Sequence, residues 1–151
     1  MVLENKPERL IKETYLACIR NSVGTKMFRN FFLKENGKVF DATENGNLSC
    51  AFYVSGLLRM INLIESVHGT VEGIREDLER SGWEKVEEPI PGDVIIWEAD
   101  ESPDPHKHIG FYLGINLAVS NSSIKRQVAK HDWTFDATRK VEAIYSNPIL
   151  K

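Results

Sequence analysis

The chain has 151 residues, 42% of them hydrophobic and 27% charged, and its 22 acidic and 19 basic side chains give a net charge of −3. That balance fits one globular domain over residues 1–151 with a core of its own, and it excludes the broad basic surface that would follow a nucleic-acid backbone. No apolar run is long enough to span a bilayer, and Met1-Val2-Leu3-Glu4-Asn5-Lys6-Pro7 lacks the apolar centre of a secretory signal; the expectation is a cytoplasmic protein with no membrane partner.

In chain order, Pro7-Glu8 predicts a helix to about Asn21, with Leu10, Ile11, Tyr15, Cys18 and Ile19 on one face and Gly24 beyond its end. Cys18 reads as a small buried hydrophobe on that face. Met27–Leu33 is apolar but too short for its periodicity to decide its state. Glu35-Asn36-Gly37-Lys38 and Glu44-Asn45-Gly46-Asn47 are turn signals on either side of Val39–Thr43. The chain therefore bends sharply just before Cys50.

From Cys50 to Ile64 only Arg59 is charged, and Ala51, Val54, Leu57, Leu58, Ile61 and Ile64 recur at helical spacing. A helix this apolar belongs in the middle of a domain. Ser49 is a candidate hydroxyl cap for it. Thr70 opens a third helix carrying Val71, Ile74 and Leu78, which Gly82 ends. Pro91-Gly92-Asp93 is a turn into the apolar strand Val94–Trp97. Glu98–Pro105 reads as a solvated acidic loop. Strands follow at His108–Leu113, Ala118–Ser122 and Val141–Tyr145, with another expected around Phe135. Helices first and strands afterwards predict an α+β domain with an antiparallel sheet.

Cys50 carries the chemical interest. A helix N-terminus favours the thiolate, and a thiol nucleophile needs a base to take its proton and return it to the leaving group. His108, at the head of a strand, is the candidate base. A third group should fix its ring. If Ile115-Asn116 form a two-residue loop, Asn121 shares a face with His108; a loop one residue longer brings Ser120 there instead. Asn121 offers an amide oxygen to an imidazole N–H, and Ser120 a hydroxyl.

The order of these blocks, from Leu48-Ser49-Cys50 through Pro91-Gly92-Asp93-Val94-Ile95-Ile96-Trp97 to His108-Ile109-Gly110-Phe111-Tyr112-Leu113-Gly114 and Val119-Ser120-Asn121, resembles the NlpC-type cysteine peptidases and the related CHAP amidases. The resemblance covers about Leu48 to Ser123. It implies a papain-like fold, with the Cys-bearing helix packed on the antiparallel sheet, and cleavage of amide bonds in short peptides of the bacterial cell-wall type. Cys50 is then the nucleophile and His108 the base. The CHAP pattern points to Asn121 as the third residue, and ungapped counting in the NlpC pattern to Ser120. Ser49 and Ala51-Phe52 depart from the aspartate and serine-glycine that commonly flank an NlpC nucleophile, and no tyrosine precedes Cys50 in the turn-rich stretch.

Other constellations carry less. His106 and His108 alternate as two metal ligands would, but no cysteine pair or His-Glu-x-x-His run completes a site; no metal is expected, and no organic cofactor either. His131-Asp132 looks like a dyad, yet neighbouring strand residues face opposite ways. His68 reads as a loop residue, and Trp97 as the best groove wall among the tryptophans. The expected function is thiol-dependent amide hydrolysis on a small peptide or amide substrate. Acyl transfer and a non-catalytic binding domain on the same fold are the alternatives, and the oligomeric state is left open.

Overall fold

The computed structural model describes residues 5–151; residues 1–4, part of the segment read for an export signal, lie outside the described residues. Helix α1 runs Ile11–Asn21, four residues later than Pro7 suggests. Residues 5–10 are exposed, and a turn with no apolar partner is not held by propensity alone. Tyr15 and Ile19 are its fully buried anchors, and the Tyr15 hydroxyl donates to the Gly92 carbonyl at 2.6 Å.

Strands β1 (Phe32–Glu35) and β2 (Lys38–Asp41) form a hairpin, closed by Asn36-Gly37 with both residues at positive φ, the geometry that matches strand twist. Beyond it, the Asp41 carboxylate accepts from the N–H groups of Phe31, Thr43 and Asn45 and from the Thr43 hydroxyl. Burial opposes the charge, but these donors hold Asp41 well below the usual carboxylate range. This knot sets the sharp entry into α2 (Cys50–Met60).

Helix α2 buries Ala51, Tyr53, Val54, Leu57 and Leu58. It stops four residues short of Ile64 because Asn62 adopts φ 67°. The Asn62 and Leu63 N–H groups then close on the Arg59 and Leu58 carbonyls, a left-handed C-terminal motif. Ile64 stays in the core although it is off the helix. Helix α3 (Val71–Arg80) begins at Thr70, whose hydroxyl accepts from the Gly73 N–H, as its sequence predicts.

Among the described residues six further strands make one antiparallel sheet: β3 (Glu84–Val86), β4 (Val94–Trp97), β5 (His108–Gly114), β6 (Leu117–Ser122), β7 (Gln127–Asp132) and β8 (Val141–Ser146), in the order β3-β8-β4-β5-β6-β7. The α+β expectation holds at this level. The extra strand falls at Gln127–Asp132 rather than around Phe135, because Phe135, Asp136 and Ala137 all take positive φ in a turn. Val94, Ile96, Ile109, Phe111 and Val119 join the core with the buried residues of α1, α2 and α3. Ile95, Trp97, Tyr112 and Ala118 form a second cluster with Trp133, Phe135 and Val141. Alternation along the strands puts these two sets on opposite faces of the sheet. No helix among the described residues is long and apolar enough to cross a membrane.

Candidate active site

Cys50 is the first residue of α2 and is half-buried. It lines a cleft of about 960 Å³ together with Asn47, His108, Asn121 and Arg139. Ser49 does not cap the helix: its backbone, at φ −98° and ψ 1°, lacks the extended form of a capping residue, and its hydroxyl is buried without a partner. Burial pushes the Cys50 thiol up, against the opposing pull of the Ile109 and Ala51 N–H groups and of Arg139. Burial thus disfavours the thiolate.

His108 stands at the head of β5, half-buried. Burial, then Arg139 and His131, push its imidazolium down to about 3, with only Asp100 opposing. Its Nε2 lies 2.9 Å from Ser120 Oγ. No hydrogen bond links Nδ1 of this ring, or the Cys50 sulfur, to the other among the described residues; what they share is the cleft and the contact of Cys50 with the Ile109 N–H, one residue along β5.

Ser120 reaches His108 because of a bulge. The connection is the two-residue turn Ile115-Asn116, with Gly114 facing Leu117, but the pairing shifts between Gly114 and Tyr112, so that Phe111 faces Val119. Continuing that register places Gly110 opposite Ser120, not Asn121. Alternation then gives Ser120 the face of His108. The expectation that Asn121 orients the imidazole is therefore corrected: its side chain turns to the other face and donates to the Gly46 carbonyl at 2.9 Å. Asn121 still lines the cleft beside Cys50. Its amide ties β6 to the turn that launches α2.

Sequence reasoning missed His131. Its Nε2 lies 2.7 Å from Ser120 Oγ, and its Nδ1 2.7 Å from the Asp132 backbone carbonyl. As strand alternation predicts, the Asp132 carboxylate does not join this ring and is engaged by the Thr134 and Asp136 N–H groups. The His131 ring itself points across to β6, where His131 faces Ala118. Burial pushes the His131 imidazolium down, against the Asp132 carbonyl and carboxylate. The alternation of His131 and Ala129 opposite Ala118 and Ser120 was the signal that could have found it.

Aromatic side chains enclose this polar row. Trp97 does not wall the groove: it is fully buried, 5.4 Å from the His108 ring, with its indole N–H donating to the Trp133 carbonyl. Phe135 stacks on His131 at 4.0 Å and 17°. Gly110 makes room for the row, since a methyl there would lie 2.6 Å from the Val119 carbonyl oxygen and 2.8 Å from Ser120 Cβ. At the cleft mouth, Arg139 donates to the Glu98 and His106 carbonyls and so joins two loops. His106 sits in the loop before β5, paired with Asp104. Lys107 bridges Glu72 and Glu142, and Glu142 also pairs with Arg75. Among the described residues no three histidine, cysteine or acidic side chains converge as metal ligands would. No protein-family model matches this chain, and no curated protein matches it either.

Proposed function

We propose that this protein is a thiol-dependent amide hydrolase acting on short peptides, with the chemistry and papain-like arrangement of the NlpC-type and CHAP-type enzymes. The observation that carries the reading is the sharing of one cleft by a helix-start thiol and an imidazole whose Nε2 is held by Ser120. That leaves Nδ1 as the nitrogen available to a nucleophile.

With the thiol pushed up and the imidazolium pushed down, both partners start uncharged at neutral pH, so the proton moves during attack rather than before it. The Cys50 sulfur bonds to the substrate carbonyl carbon as its proton passes to His108 Nδ1. The C–N bond then breaks, and the imidazolium gives that proton to the departing amine. Water adds to the thioester, losing a proton to Nδ1; the C–S bond breaks and the sulfur recovers the proton, which restores thiol and imidazole. The Cys50 backbone N–H, at the positive end of α2, donates to the oxyanion in both tetrahedral states. An amine in place of water would give acyl transfer by the same steps.

The test is a panel of short peptide anilides and activated esters, read by intact-mass spectrometry for an acyl adduct on Cys50. Wild type should acylate and turn over, Cys50→Ala should form no adduct, and His108→Ala should acylate at least about a hundredfold more slowly. Alkylation of Cys50 by iodoacetamide across pH provides the control. A profile identical in wild type and His108→Ala, with no adduct from any substrate, would overturn the reading in favour of a non-catalytic binding domain.

A further inference from the structure

We propose that His131 is a positioning residue that sets the proton arrangement of His108 through Ser120, making His108 Nδ1 the basic nitrogen. The proposal rests on the hydrolase reading for its purpose, but its physical content is independent of it.

The row runs from the Asp132 carbonyl to His131, Ser120 and His108, with spacings of 2.7, 2.7 and 2.9 Å. Its direction follows from one fixed end. A peptide carbonyl only accepts, so His131 Nδ1 must carry the hydrogen. In the neutral ring Nε2 then holds a lone pair and must accept from the Ser120 hydroxyl. Having donated its single hydrogen to His131, Ser120 Oγ accepts from His108, whose Nε2 must carry a hydrogen. His108 Nδ1 is left with its lone pair, the form a thiol proton requires. Ser120 is 2% exposed, so bulk water does not compete for the hydroxyl, and Phe135 stacked on His131 keeps that ring in plane.

A serine alone would not do this. Without an acceptor beyond it, Ser120 could donate to His108 Nε2 as readily as accept from it, and the first choice puts the hydrogen on Nδ1, the wrong tautomer for a base. Protonating His131 would likewise turn its Nε2 into a donor and reverse the row. The charged groups around the two rings are Asp132 on β7, Asp100 in the acidic loop and Arg139 in the loop before β8; of these Arg139 disfavours an imidazolium at His108, while Asp100 favours one there and Asp132 favours one at His131.

The experiment is nitrogen-15 NMR of the imidazole rings in the full chain at neutral pH, which distinguishes protonated from lone-pair nitrogens. His108 should show hydrogen on Nε2 and a lone pair on Nδ1, and His131 the opposite pattern. In His131→Leu the His108 tautomer should shift toward Nδ1–H and Cys50 acylation should fall at least about tenfold. His131→Gln, which restores a carbonyl acceptor, should recover much of both. Near-ultraviolet circular dichroism checks folding, and should His131→Leu fail to fold, the wild-type tautomers decide alone. Hydrogen on His108 Nδ1 in wild type, or a His131→Leu variant with unchanged tautomer and acylation, would overturn the proposal. Tautomers as stated without any Cys50 acylation would retain the relay and remove the hydrolase reading; acylation with the opposite tautomers would do the reverse.

Discussion

Asp77 provides the most quantitative test of what holds the helical layer together. Its side chain is fully buried on α3. It accepts from the Glu65 and Ser66 N–H groups at 2.9 and 3.0 Å and from the Ser81 hydroxyl at 2.9 Å, and lies 2.6 Å from His68 Nε2. His68 is thus more than a loop residue: with Asp77 it secures the segment between α2 and α3. Burial disfavours the carboxylate, yet Glu65, His68, Ser66 and Ser81 together hold Asp77 at about 2 against an ordinary 3.8. A depressed native pKa means that the folded state prefers the ionised group. The stabilisation is therefore present above the unfolded value and lost as pH falls through the folded one. A difference of this size is worth about 2 kcal/mol at neutral pH, with about half gone by pH 3. Asp77→Asn should lower urea-derived stability at pH 7 by about 2 kcal/mol, or lower the melting temperature by about 4–8 °C for a chain this long, and the gap between wild type and variant should narrow at pH 3. An unchanged stability at pH 7, or a gap that does not shrink in acid, would mean that the buried Asp77 carboxylate does not hold this layer.

Three further outcomes follow from the site. Gly110→Ala should cost about 1–3 kcal/mol through overpacking against the Val119 carbonyl and Ser120, and should weaken the His108–Ser120 hydrogen bond, visible as a shift of the His108 Nε2–H resonance; a variant with wild-type stability and an unmoved resonance contradicts the close packing. Asn121→Ala removes the tie to the Gly46 carbonyl and should cost about 1–2 kcal/mol, with faster amide exchange in the turn before α2 and no change in the His108 tautomer; a changed tautomer would restore Asn121 as the orienting residue. Because burial holds the His108 imidazolium at about 3, the ring should stay neutral down to about pH 4, so a proton NMR titration of His108 that is complete near pH 6 would count against an enclosed ring.

The parts of this molecule that were legible in the sequence are those set by short-range pattern. Helical spacing of Ala51, Val54, Leu57 and Leu58 fixed α2 and put Cys50 at its start, Thr70 capped α3, and the apolar runs at Val94 and His108 became β4 and β5. What was not legible depended on pairing. The connection is Ile115-Asn116, one of the two loop lengths the sequence leaves open, but the register passes through a bulge next to Gly114, which adopts φ 97°, and one residue of slip exchanges Asn121 for Ser120 on the His108 face. Glycine ahead of a hairpin turn was the available hint of such a bulge. His131 was harder still, because its place is set by the Ser122–Arg126 turn and by a ring reaching across two strands. Helix ends likewise depended on tertiary contacts: α1 lost its first turn for want of a packing partner.

That the Cys50 sulfur and His108 Nδ1 work across one cleft can be checked by bridging them. Dibromoacetone alkylates a thiol and then, through its short second arm, a ring nitrogen within reach. Peptide mapping after treatment at neutral pH should recover a single cross-link joining the Cys50 and His108 peptides, absent from His108→Ala. Cys50 alkylated only once, with the second arm hydrolysed or attached to His106, would contradict it.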